Sequence, residues 1–130
     1  MVMSLAKKMY VSANSVVPCV NLAPDVELDD IKPWSAGFDA AKQMVFDGKA
    51  ASVFVFVENS KDLASNTKAL RDLWAQKVPF WLFYPKKPHL NTDLGRDSTW
   101  ALMQKMGMKG TRQVGIDQLW SCLYFKNSAK

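Results

Sequence analysis

ASVFVFVENSKDLASNTKALRDLWAQKVPFWLFY, residues 51–84, decides the fold. Residues 51–57 are apolar almost throughout, and valine alternates with phenylalanine, the composition of a strand covered on both faces. FWLFY, residues 80–84, is a second such run, closed by Pro85. Between them Asn59 or Ser60 can cap a helix. Leu63, Leu70, Leu73 and Trp74 recur there at helical spacing, while Lys61, Asp62, Lys68, Arg71 and Asp72 take much of the other face. Strand, amphipathic helix, strand predicts two parallel neighbours joined by a right-handed crossover.

Upstream, SVVPCVN at residues 15–21 is another short apolar run, but Pro18 removes an amide donor and predicts an edge or interrupted strand. The acidic residues 25–30 and Pro33 read as a solvated connector. Phe38, Ala41, Val45 and Phe46 then give a short helix stopped by Gly48. Downstream, Asp97 or Ser98 can cap a helix carrying Trp100, Ala101, Leu102, Met103 and Met106, with Gly107 as terminator. Residues 111–116 and 119–125 are two strands too close for a crossover, so they should form an antiparallel hairpin. A polar tail, residues 126–130, ends the chain. The order of elements predicts a single α/β domain over residues 1–130, a three-layer Rossmann-like sandwich with a mostly parallel sheet and a C-terminal antiparallel hairpin.

Composition fits that picture. The 130 residues are 48% apolar, with five Trp and seven Phe, enough to bury a core and far from the signature of disorder. Lys7 and Lys8 follow rather than precede the few apolar residues at the start, unlike a secretory signal, and no run is long enough to span a membrane. A cytoplasmic location is expected, and with it reduced, packed thiols for Cys19 and Cys122. The net charge of +5 is uneven: residues 1–76 hold 8 basic and 9 acidic side chains, residues 77–130 hold 9 and 3. The basic residues are dispersed, which favours a solvated face over nucleic-acid binding.

Four short motifs are distinctive together: LAKK at residues 5–8, YPK at 84–86, TDL at 92–94 followed by Arg96 and Asp97, and Asp117 with Trp120 and Ser121. In them, and in the order of its elements, the chain resembles a small bacterial family of unknown function with truncated Rossmann-like single domains. The succession also resembles the later half of class I methyltransferase-like domains, which finish with a helix and an antiparallel strand pair. The resemblance implies a fold and no reaction. A methyltransferase or dinucleotide enzyme carries a glycine-rich turn after its first strand, where backbone approaches the cofactor. This sequence has VNLAPD at residues 20–25, so no adenosyl cofactor is expected.

Position marks the candidate site. The loop 85–95 leaves the carboxyl end of a central strand, the edge at which open α/β sheets bind ligands. Lys86 and Lys87 can attract an anionic group, Tyr84 can donate its hydroxyl, and a helix starting near Asp97 adds free amides. His89, Asp93 and Arg96 lie in the same stretch, and Glu58 and Asn59 follow the neighbouring strand on the same edge. The plainer reading has Pro85 and Pro88 stop the strand, Asp97 cap the helix and Arg96 pair with Asp93. No nucleophile elbow, triad spacing or metal-ligand spacing is present. Asp117 should cap the hairpin turn, and Trp34, Trp74, Trp81, Trp100 and Trp120 should fill the core. The expected function is therefore a non-enzymatic binding or interaction module; the alternatives are an enzyme or sensor that binds an anionic, phosphate-bearing small molecule at the 84–97 loop, and a weak nucleic-acid binder. No metal is expected. A homodimer through an edge strand is a further expectation.

Overall fold

Among residues 4–128, which the computed structural model describes, the chain forms α1 (Leu5–Lys8), β1 (Val16–Val20), β2 (Lys32–Ser35), α2 (Phe38–Phe46), β3 (Val53–Phe56), α3 (Ser60–Ser65), α4 (Thr67–Ala75), β4 (Phe80–Pro85), α5 (Arg96–Lys105), β5 (Gly110–Gly115) and β6 (Trp120–Phe125). Residues 1–3, and 129–130 of the polar tail, lie outside the described residues. The six strands make one sheet in the order β2-β1-β3-β4-β6-β5. The first four are mutually parallel, and β6 runs antiparallel to both β4 and β5. The fold is mixed α/β, with a mostly parallel sheet and a C-terminal antiparallel hairpin. Among the described residues no helix is long and apolar enough to cross a membrane.

The valine–phenylalanine alternation sorts the two faces. Val53, Val55 and Val57 point to the face on which α2 to α5 pack, with Phe80, Leu82 and Tyr84 from β4. Phe54, Phe56, Trp81 and Phe83 point to the other. All are essentially excluded from water, and each stabilises the fold by roughly 1.5–3 kcal/mol through burial. The second face is covered by the single turn of α1 and by the irregular segment of residues 21–31, whose Leu22, Val26, Leu28 and Ile31 lie on it.

Four expectations change. Residues 32–35, expected in a connector, form β2 at the sheet edge, so β1 has a neighbour on each side. Pro18 is tolerated there for a local reason. The Ser15 and Cys19 carbonyls accept from Lys32 and Ala36, so the proline's missing amide would face β3, and pairing with β3 covers only Cys19 and Val20. The single helix expected between β3 and β4 breaks at Asn66, whose side chain donates to the Asp62 carbonyl at 2.8 Å while Thr67 donates to the Leu63 carbonyl at 3.2 Å. Such local bonds compete with helix continuation. Asp97 does not cap α5: Gly95 is the N-cap, and the Ser98 hydroxyl accepts from the Gly95 amide at 2.8 Å. Finally, Trp34 is 47% exposed on the short edge strand rather than core.

Topology fixes where the chain parts. After β1 it crosses to the face of α1, and after β3 it crosses to the face of α3 and α4. The carboxyl ends of these neighbours therefore diverge, which opens a crevice between them.

Candidate functional site

The crevice at the β1/β3 divergence has a volume of about 310 Å³ and is lined by Asn21, Leu22, Ala23, Pro24, Phe56, Glu58, Asp62 and Trp120. Asn21 turns the chain there with φ of 59°, a left-handed conformation that asparagine tolerates better than most residues. It stands where a dinucleotide fold would place glycine. Asp62 accepts from the Glu58 amide at 2.8 Å, and its own amide donates to the Asn59 side chain at 2.8 Å. Asn59 thus caps α3, as expected. Two carboxylates, Glu58 and Asp62, give this crevice a negative character.

A second crevice, about 260 Å³, opens at the end of β4 and is lined by Tyr84, Pro85, Lys86, Lys87, Leu94, Gly95, Arg96, Gln113 and Ser121. It has three cations and no carboxylate in its wall. Burial pushes the Tyr84 hydroxyl above the ordinary tyrosine value, opposed by the neighbouring Ser121 and Gln113 side chains. Gln113 donates to the Ser121 hydroxyl at 2.9 Å, which fixes the polar floor. Lys86 is held in place: its Nζ donates to the Asp117 carbonyl at 2.6 Å and its amide to the Leu119 carbonyl at 2.8 Å. Gly95 and Arg96, at the start of α5, line the same wall, and the Ser98 hydroxyl satisfies the Gly95 amide.

The structure therefore divides the nine residues singled out from the sequence. Tyr84, Lys86, Lys87 and Arg96 converge, whereas Glu58 lines the other crevice and Asn59 lines neither. Asp93 accepts from both the amide and the hydroxyl of Ser60, and these bonds, the hydroxyl's first, hold its carboxyl below the usual carboxylate value. It caps α3 rather than pairing with Arg96, which instead meets Asp97 at 3.1 Å on the surface. His89 packs edge-on to Trp120 at 5.7 Å, with Nε2 2.8 Å from Asp25 Oδ2 but off the line a hydrogen bond requires. Asp25 also accepts from the Trp120 indole at 2.9 Å, so the acidic segment is no solvated connector. Trp120 is buried, but against that segment instead of the long helices. Asp117 caps the hairpin turn as expected, accepting from the Leu119 and Trp120 amides at 2.8 Å each.

Gln113 was not legible as a site residue. Only the register that sets β5 beside β6 brings it to Ser121 and Tyr84. Cys19 and Cys122 are free and buried, with β3 and β4 between their strands. Burial pushes the Cys19 thiol up to about 12 and that of Cys122 well above its ordinary value, so neither is a nucleophile at neutral pH. Among the described residues no cluster of His, Cys, Asp or Glu has the make-up of a metal site. No protein-family model matches the sequence, and no curated protein is significantly similar to it.

Proposed function

We propose that the chain is a binding module that takes a small phosphate-bearing anion at the end of β4 and performs no covalent chemistry on it. The observation that carries this reading is the convergence of Tyr84, Lys86, Lys87 and Arg96, with Gly95 at the start of α5, on a crevice whose described lining holds no carboxylate. Its volume lies just below the roughly 300–1,000 Å³ usual for drug-sized ligands, which suits a sugar phosphate or inorganic phosphate. The groups best suited to catalysis are engaged elsewhere: Ser60 and Asp93 cap a helix, and His89 is packed against Trp120 and Asp25. The scaffold is read as a degenerate, three-layer Rossmann-like domain of methyltransferase-like ancestry, its second layer reduced to α1 and residues 21–31. Support for this is the crossing of the chain to opposite faces after β1 and β3 and the closing antiparallel strand pair.

A thermal-shift series tests the ligand. At about 100 times the dissociation constant, a ligand adds roughly 2.7 kcal/mol to stability. Inorganic phosphate or a sugar phosphate should raise Tm by several degrees at low salt, less as salt is added, and not at all in the Lys86→Ala, Lys87→Ala double variant. A Tm that no phosphate compound moves, or a double variant that responds like the parent, refutes the reading.

A further inference from the structure

The two edges of the sheet are unlike. On β2, Lys32 and Ala36 donate inward to β1, so the alternate residues Pro33 and Ser35 face outward, and Pro33 has no amide to offer. That edge is blocked in the way natural sheets block edges. At the far edge, the Ile116 amide donates to the Trp120 carbonyl at 3.1 Å, which turns the backbone of Val114 inward to β6 and that of Gln113 and Gly115 outward. Gln113 and Gly115 are exposed, neither is proline, and among the described residues no partner accepts from or donates to their outward groups. Beside this open strand runs a groove of about 440 Å³ between α5 and β5, lined by Arg96, Asp97, Trp100, Gln104, Thr111 and Arg112 among others.

Cations flank the edge on both faces. Arg96 lines the groove, Lys109 stands exposed just before β5, Arg112 carries its guanidinium to the opposite face, and the single carboxylate of the groove, Asp97, is already beside Arg96. Arg112 lies 5.4 Å from the centre of the Tyr10 ring and its Nη1 donates to the Tyr10 hydroxyl at 3.5 Å, while its Nε has no hydrogen-bond partner among the described residues. We propose that the outer edge of β5 is a docking edge for an extended acidic segment of a partner protein, which joins the sheet as a seventh strand. Main-chain bonds to Gln113 and Gly115 supply the pairing. Carboxylates on alternate residues meet Arg112 on the face of Tyr10, and the apolar residues between them enter the groove over Trp100 on the other. A second copy of this chain fits less well, because it would bring its own Arg96, Lys109 and Arg112 against the same cations.

Fluorescence anisotropy with a labelled octapeptide of alternating valine and glutamate tests this, with alternating valine and lysine as control. The acidic peptide should bind, the basic one should not, and salt should weaken binding. Gly115→Pro removes only an outward amide, and a Cβ at that position meets nothing closer than Lys86 Nζ at 3.5 Å, an ordinary van der Waals contact. It should weaken binding about tenfold, the equivalent of one lost hydrogen bond. Arg96→Glu with Arg112→Glu should abolish it, and exchange of the Gln113 and Gly115 amides should slow when peptide is added to the parent protein. No binding of the acidic peptide, or equal binding by parent and Gly115→Pro, overturns the proposal. So does concentration-dependent dimerisation that Gly115→Pro abolishes, which would give the edge to a second copy.

Discussion

On one face of the sheet Val53, Val55, Val57, Leu82 and Leu123 meet four helices; on the other Phe54, Phe56, Trp81, Phe83 and Trp120 meet one turn of helix and an irregular segment. The strands supply on the thin face the volume that helix side chains supply on the thick one. Irregular backbone also has no ladder of its own, so its buried polar groups need partners. Side chains and stray carbonyls provide them: Asp30 accepts from the Ala6 amide at 3.0 Å, Asp117 from the Glu27 amide at 3.1 Å, Asp25 from the Trp120 indole, and the Met9 carbonyl from the Trp81 indole at 3.2 Å. One face is held chiefly by apolar packing, with its carboxylate bonds at the exposed surface, the other by aromatic bulk and carboxylate bonds together.

The contrast breaks most visibly at Trp120. Trp120→Ala removes a buried ring that packs edge-on to Phe56 at 5.4 Å and frees Asp25, and should cost about 3–5 kcal/mol in urea denaturation. Trp120→Phe keeps most of the bulk and loses the indole bond, for about 1–2 kcal/mol. If the two variants cost the same, bulk is not what closes this face. Asp30→Ala comes next, at about 1–3 kcal/mol, because it orphans the amide of the fully buried Ala6. Hydrogen exchange should then quicken at Ala6 and Met9 while Leu70 and Leu73 in α4 keep their protection. A uniform loss would show that the two faces open as one unit.

What the sequence disclosed follows the same division. Valine–phenylalanine alternation and a run of leucines at helical spacing are local signals, so β3, β4, their crossover and the closing hairpin were legible. The thin face was not, because Asp25, Asp30 and Asp117 look like any solvated acids until residues 24 to 95 positions apart are brought together. Strand β2 was hidden for a related reason: four exposed residues containing a proline carry no alternation, and only the neighbouring β1 makes them a strand. The basic half of the site was legible from its place after a buried strand. Its separation from Glu58 was not, since that depends on which side of the sheet each loop takes.

Asp93 offers the smallest effect and the sharpest contrast. It is a carboxylate bond on the thick face, where it joins the loop after β4 to the start of α3, and it is exposed. Because the Ser60 hydroxyl and amide hold its folded-state pKa below the ordinary value, its contribution is present above the usual carboxylate range and is lost as pH falls through the lowered value. The Ser60 amide resonance should shift over that acidic window, and Asp93→Asn should remove the shift while leaving the urea midpoint almost unmoved. A loss of stability as large as that of Asp30→Ala would mean that the thick face, too, depends on carboxylate bonds. The difference between the faces would then lie in which side chains fill them and not in how their backbone is satisfied.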